Sequence, residues 1–157
     1  MRVLLYCLVL SLFLSSKAWG LCVIADQANL RDKPSAKGKL LWTVGKYMPF
    51  IGIKQEGKWL FVKDMEGKKM WIFSGLVSDE IDCAVIKVKN SSLRKGPGTK
   101  FKKTPFSVAK KFAPFRKLDR DGAWLLLQDD YGYKHWVYEN NLWEPLAYTQ
   151  LCQRLLL

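Results

Sequence analysis

The chain repeats itself once, and that duplication restricts it to two copies of one small folding unit. Leu30-Arg31-Asp32-Lys33-Pro34 returns as Leu93-Arg94-Lys95-Gly96-Pro97 at an offset of 63 residues. Further along the offset is 65, pairing Lys46-Tyr47-Met48-Pro49-Phe50 with Lys111-Phe112-Ala113-Pro114-Phe115 and Gly57-Lys58-Trp59 with Gly122-Ala123-Trp124. Gly67 and Trp71 keep the same offset to Gly132 and Trp136, and Cys22 and Cys83 open the two copies 61 residues apart. A constant offset means a shared strand register, and its small changes read as short loop insertions. A solenoid needs at least about 3 repeats, so two copies point to duplicated small domains.

Inside each unit the apolar runs are short, rich in aromatic and β-branched residues, and separated by turn formers. The first unit reads Cys22–Ala25, Leu40–Val44, Phe50–Ile53, Trp59–Val62 and Met70–Phe73. This pattern predicts about five short strands per unit in an all-β fold. Glu56-Gly57 and Asp121-Gly122 suit hairpin turns, where glycine accepts a positive φ. Trp59-Leu60-Phe61-Val62 and Trp124-Leu125-Leu126-Leu127 are apolar on both faces, whereas a half-solvated strand alternates. One face fills the barrel, and the sister repeat is expected to cover the other. The expected boundaries are 21–78 and 83–145, joined by the acidic linker 79–82, which is short enough to hold the units together.

Residues 1–20 run from a positive start at Arg2 through the apolar stretch Val3 to Leu14 to Ala18-Trp19-Gly20. That order predicts a secretory signal peptide cut after Gly20, with Ala18 as the other possible site. Leu21 disfavours a lipid anchor on Cys22, and no transmembrane segment is expected once the leader is gone. The chain beyond residue 20 has 24 Lys and Arg against 14 Asp and Glu. Such an excess draws a protein toward anionic surfaces. Outside the cytoplasm those are envelope polymers or headgroups, and nucleic acid is not an expected partner. The tail 146–157 sets Leu151, Cys152, Leu155 and Leu156 at helix-like spacing.

Two sets of residues resemble the bacterial SH3 domain. In the first unit these are Asn29-Leu30-Arg31-Asp32-Lys33-Pro34, then Gly57-Lys58-Trp59-Leu60-Phe61-Val62, then Gly67 with Trp71-Ile72. In the second they are Ser92-Leu93-Arg94-Lys95-Gly96-Pro97-Gly98, then Gly122-Ala123-Trp124-Leu125-Leu126-Leu127, then Gly132 with Trp136-Val137. Ser92 and Lys33 depart from the usual asparagine and glycine, and Met70 and His135 precede the late tryptophans where glycine is usual. The resemblance implies two tandem SH3-like β-barrels of about five strands each, used for targeting or for binding cell-wall peptide or glycan. Because the ends of such a barrel lie close together, it also implies a disulfide between Cys22 and Cys83. Cys152 is able to reach Cys83 by the same logic.

The repeats consume nearly all of the chain beyond the leader, leaving no room for a dedicated hydrolase fold. The lone histidine, His135, reads as a strand side chain, and Asp129-Asp130 falls at a turn. No catalytic residues, metal site or cofactor are expected. Residues 83–145 carry 13 Lys and Arg against 6 acids. Lys100, Lys102 and Lys103, with Tyr131, Tyr133 and Trp143 as aromatic platforms, form the expected ligand face. The expected function is an exported, periplasmic or secreted module that binds peptidoglycan or another anionic envelope polymer. The alternative is an envelope interaction factor recognising a partner protein's peptide.

Overall fold

A computed structural model describes residues 18–145. The expected leader core and the tail 146–157 with Cys152 lie outside the described residues. The first unit contains β1 (Trp19–Val23), β2 (Gln27–Arg31), β3 (Leu40–Gly45), β4 (Pro49–Glu56), β5 (Trp59–Lys63), β6 (Lys69–Phe73) and β7 (Val77–Ser78). The second contains β8 (Cys83–Ile86), β9 (Asn90–Arg94), β10 (Lys103–Lys110), β11 (Pro114–Asp121), β12 (Trp124–Gln128), β13 (Lys134–Tyr138) and β14 (Leu142–Trp143). The two antiparallel sheets have the same strand order, β3-β2-β6-β5-β4-β1-β7 and β10-β9-β13-β12-β11-β8-β14. The fold is two tandem SH3-like barrels.

Each unit has seven strands instead of about five. The additional pairs are β2 with β9 and the two-residue β7 with β14. In β2, Ala28 and Leu30 are buried between polar neighbours, a half-buried alternation inside a segment that reads as a loop motif. A single 3-10 turn at Ser74–Leu76 turns the chain back so that β7 pairs with β1, which closes the unit. The hairpins at Gly57 and Gly122 form as expected, with φ of 54° and 55°.

The second faces of β5 and β12 are covered within their own units, not by the sister repeat. Leu60 and Val62 point into the core, while Phe61 packs on Trp71 at 4.8 Å and Trp59 meets Phe73 at 5.8 Å. Cross-strand aromatic partners on β6 thereby do the covering. The repeats meet elsewhere. Trp42 of β3 packs edge-on against Phe112 at 5.4 Å, Lys111 pairs with Glu66 at 2.6 Å, and Val85 and Trp143 join the core of the first unit. Tyr47 and its counterpart Phe112 both hold a left-handed backbone, with φ of 67° and 68°. Their N–H groups donate to Val23 O and Ile86 O, tying each turn to the first strand of its unit. Cys22 and Cys83 form a disulfide with Cα atoms 5.9 Å apart.

β1 starts ahead of the expected boundary after Gly20. Trp19 pairs with Gly52 and Gly20 with Ile51, and the Trp19 indole lies directly on Gly52. A Cβ at Gly52 would sit 2.6 Å from Trp19 Cε2. Gly52→Ala is therefore expected to cost about 1–3 kcal/mol by overpacking, measured by urea unfolding. In a Trp19→Ala background the same change becomes neutral or stabilising, because alanine restricts the unfolded backbone more than glycine. A uniform effect in both backgrounds would show that Trp19 does not pack there.

Candidate ligand grooves

The sequence signature Asn-Leu-Arg-x-x-Pro places an arginine at the end of a strand whose following loop folds back over it. Arg31 Nη1 donates to Gly38 O at 2.7 Å. Arg94 Nη1 donates to Thr99 O at 3.0 Å and to Phe101 O at 2.8 Å. In both units the guanidinium thus clasps the loop after the second strand. Charge-assisted bonds to carbonyls are among the stronger hydrogen bonds, so the loop stands as a fixed wall.

Opposite each wall lies an aromatic pair. Trp59 and Phe73 are direct cross-strand partners, as are Trp124 and Tyr138 at 5.6 Å. Between wall and rings is an open groove of about 530 Å³ in the first unit and 570 Å³ in the second. The linings correspond position by position: Gln27 with Asn90, Asn29 with Ser92, Arg31 with Arg94, Trp59 with Trp124, Phe73 with Tyr138 and Leu76 with Asn141. Phe73 and Tyr138 stay 37% and 40% exposed, so the ring faces are available to a ligand. Differences set the chemistry of each groove. Lys58 and Leu76 give the first a second cation beside Arg31 and a more apolar lining, while Tyr138, Asn141 and Ala123 in place of a lysine leave the second with Arg94 alone and a more polar lining.

The residues expected to bind ligand are divided by the structure. Lys100, Lys102 and Lys103 are exposed at the end of the β9–β10 loop and the start of β10. Tyr131 and Tyr133 are exposed on the β12–β13 turn, where Tyr133 meets Phe106. Trp143 is not brought to them, because β14 pairs with β8 and its indole packs against the core of the first unit. The groove residues were missed as a set. Their signal was available in the repeated Gly-x-Trp and Asn-Leu-Arg-x-x-Pro elements, which read as family landmarks instead of as opposite walls of one cleft.

One arrangement resembles a hydrolytic triad. His135 Nδ1 lies 3.1 Å from Thr104 Oγ1, and His135 Nε2 lies 3.2 Å from Asp129 Oδ2. His135 is 1% exposed and Thr104 8%, so a substrate carbonyl has no approach to the hydroxyl. Asp129 Oδ1 meanwhile accepts from the N–H groups of Tyr131 and Tyr133. The network ties β10, β13 and the tyrosine turn together. Among the described residues, no group of three or more His, Cys, Asp or Glu is placed to hold a metal ion.

A bacterial SH3 domain family model matches residues 25–79. Among curated proteins nothing matches. Among solved structures, NlpC2 from Trichomonas vaginalis is 10% identical with a TM-score of 0.38, over 83% of this chain and 49% of that one. An NlpC/P60 family protein from Bacillus cereus is 12% identical with a TM-score of 0.37, over 80% of this chain and 56% of that one. The CBD of the endolysin LysPBC5 is 15% identical with a TM-score of 0.32, over 83% of this chain and 96% of that one. This chain spans about half the length of the NlpC proteins it matches.

Proposed function

We propose that this chain, whose residues 25–79 match the bacterial SH3 domain family, is an exported, non-catalytic module that binds peptidoglycan through both of its grooves. The observation that carries this reading is the position-by-position match between the two grooves. A single cleft is a common surface feature. The same aromatic floor and clasped loop, built twice in one chain, fit a ligand that itself repeats. Stacking rings beside amide and hydroxyl groups suit sugar faces and extended peptide alike.

Sedimentation with purified peptidoglycan across a salt series tests the reading. Saturable binding that persists at moderate salt supports it. Binding lost at low salt reduces the interaction to charge attraction, and absence of binding favours the alternative, a partner protein captured from envelope extracts.

Export is supported by the leader pattern over 1–20 and by the disulfide, which persists in oxidising compartments. Because Trp19 and Gly20 belong to β1, the cut that leaves the strand whole is after Ala18, where Ser16 and Ala18 supply small residues. The expected result is a secreted chain whose mass starts at Trp19, read by intact mass spectrometry. A chain starting at Leu21 would mean that β1 forms from its last three residues alone.

A further inference from the structure

The duplication has not preserved charge. From Val85 to Leu118 the chain has eleven Lys and Arg and no Asp or Glu, whereas the corresponding Cys22 to Ile53 has five against two. Among the described residues, Lys111 and Lys117 of this stretch are neutralised by ion pairs. Lys95, Lys102, Lys103 and Lys110 are exposed and lie in no such pair with another described residue. These four flank β10, the edge strand of the second sheet.

By strand pairing it is Val85, not Cys83, that takes the place of Cys22, opposite Pro114 as Cys22 is opposite Pro49, so the offset is already 63 in the first strands and the edge strand contains the insertion that raises it. Leu40 pairs with Arg31 and Thr43 with Asn29, three residues apart, but Lys103 pairs with Arg94 and Val108 with Ser92, five apart. Two residues have been added inside the strand, and this raises the offset from 63 to 65. The addition is therefore a bulge in an edge strand and not a loop insertion. Bulges re-aim side chains, and here Pro105-Phe106-Ser107 turns Phe106 outward. Its ring, 55% exposed, lies 5.2 Å from Tyr133, also 55% exposed, so that the two form a ledge. Repeat one has Lys68 where Tyr133 stands and no residue where Phe106 stands.

The buried Thr104–His135–Asp129 network joins the two halves of this ledge. Thr104 precedes the bulge, Asp129 holds the backbone of Tyr133, and His135 spans them. Repeat one has the buried apolar Met70 in place of His135. The aspartate clasp is common to both repeats, since Asp64 accepts from the Lys68 N–H, but the His135 link from that clasp to Thr104 is found only beside the ledge and ties its two halves together.

We infer that repeat two carries a second binding site, separate from the grooves, in which the Phe106–Tyr133 ledge and the lysines flanking β10 take an anionic glycan chain. The unpaired lysines supply the attraction for negative charge. Exposed aromatic rings beside cationic side chains suit the C–H face of a sugar that carries negative charge.

The test compares binding of the whole protein to polygalacturonate, a carboxylated glycan, with binding to polyglutamate, which carries the charge without the sugar. Wild type is expected to bind polygalacturonate about tenfold more tightly, the scale of two modest ring contacts. Phe106→Ser with Tyr133→Ser is expected to erase that preference while keeping polyglutamate binding. Replacing Lys95, Lys102, Lys103 and Lys110 by Gln is expected to weaken both. Melting curves accompany each variant to show that it folds. Equal affinity of wild type for the two polymers would overturn the site as a glycan reader, and so would ledge-dependent binding to phosphatidylglycerol vesicles that exceeds polygalacturonate binding. Trp59→Ala with Trp124→Ala leaves this preference unchanged, so failure of the grooves and failure of the ledge are read separately.

Discussion

Replacing Trp59 and Trp124 together by alanine is expected to reduce binding to purified peptidoglycan by about 100-fold or more. Each indole forms the floor of one groove and stacks against Phe73 or Tyr138. Exposed aromatic anchors of this kind dominate the energetics of recognition, with losses of about 2 kcal/mol or more on truncation. Each single variant is expected to lose at least about tenfold. If both grooves engage one polymer, the second contact is intramolecular, and losing either groove removes avidity as well as contact. Both tryptophans are only part-buried, so the fold is expected to survive, and thermal melting checks this. Unchanged sedimentation of the folded double variant would remove the grooves from wall binding.

Reducing or replacing the Cys22–Cys83 bridge is expected to cost roughly 4 kcal/mol, the chain-entropy estimate for a loop of about 60 residues. In a chain of this size that is a drop in melting temperature on the order of 15 °C. The bridge encloses the whole of the first unit, from β1 to the first residue of β8. A unit of about 60 residues is marginal alone, so the loss falls mainly on repeat one. Calorimetry of Cys22→Ser with Cys83→Ser is expected to show an earlier transition for repeat one, or one lowered transition if the Trp42–Phe112 contact keeps the units coupled. A change below about 1 kcal/mol would mean that the interface and not the bridge holds the first barrel closed.

The strands nearest the landmarks were legible because their signals are local. Gly57 and Gly122 are needed wherever a tight hairpin demands a positive φ, and the aromatic and β-branched runs beside them have one sensible use. The strand Gln27–Arg31 was hidden because its two buried side chains, Ala28 and Leu30, sit among polar residues in a segment dominated by its loop motif. The lysines expected to face a ligand are indeed exposed, since a charged side chain finds little reason to be elsewhere. Trp143 was misplaced among them because an aromatic residue near a chain end gives no local sign of whether it meets solvent or a neighbouring core.

The duplication, the all-β character and the shared register of the two halves were determined by the sequence alone, because repeated turns and apolar runs constrain backbone conformation locally. Three matters were decided only in the tertiary structure. The grooves join residues near positions 30, 59 and 73, which are far apart in sequence and meet only when β2, β5 and β6 lie side by side. The covering of β5 fell to Trp71 and Phe73 of the adjacent strand, since cross-strand neighbours reach an exposed face before a second domain can. The change of offset from 63 to 65 was visible in the sequence. Its place inside β10, with Phe106 turned out against Tyr133, depends on which backbone hydrogen bonds the edge strand keeps, and pairing of that kind is a property of the assembled sheet.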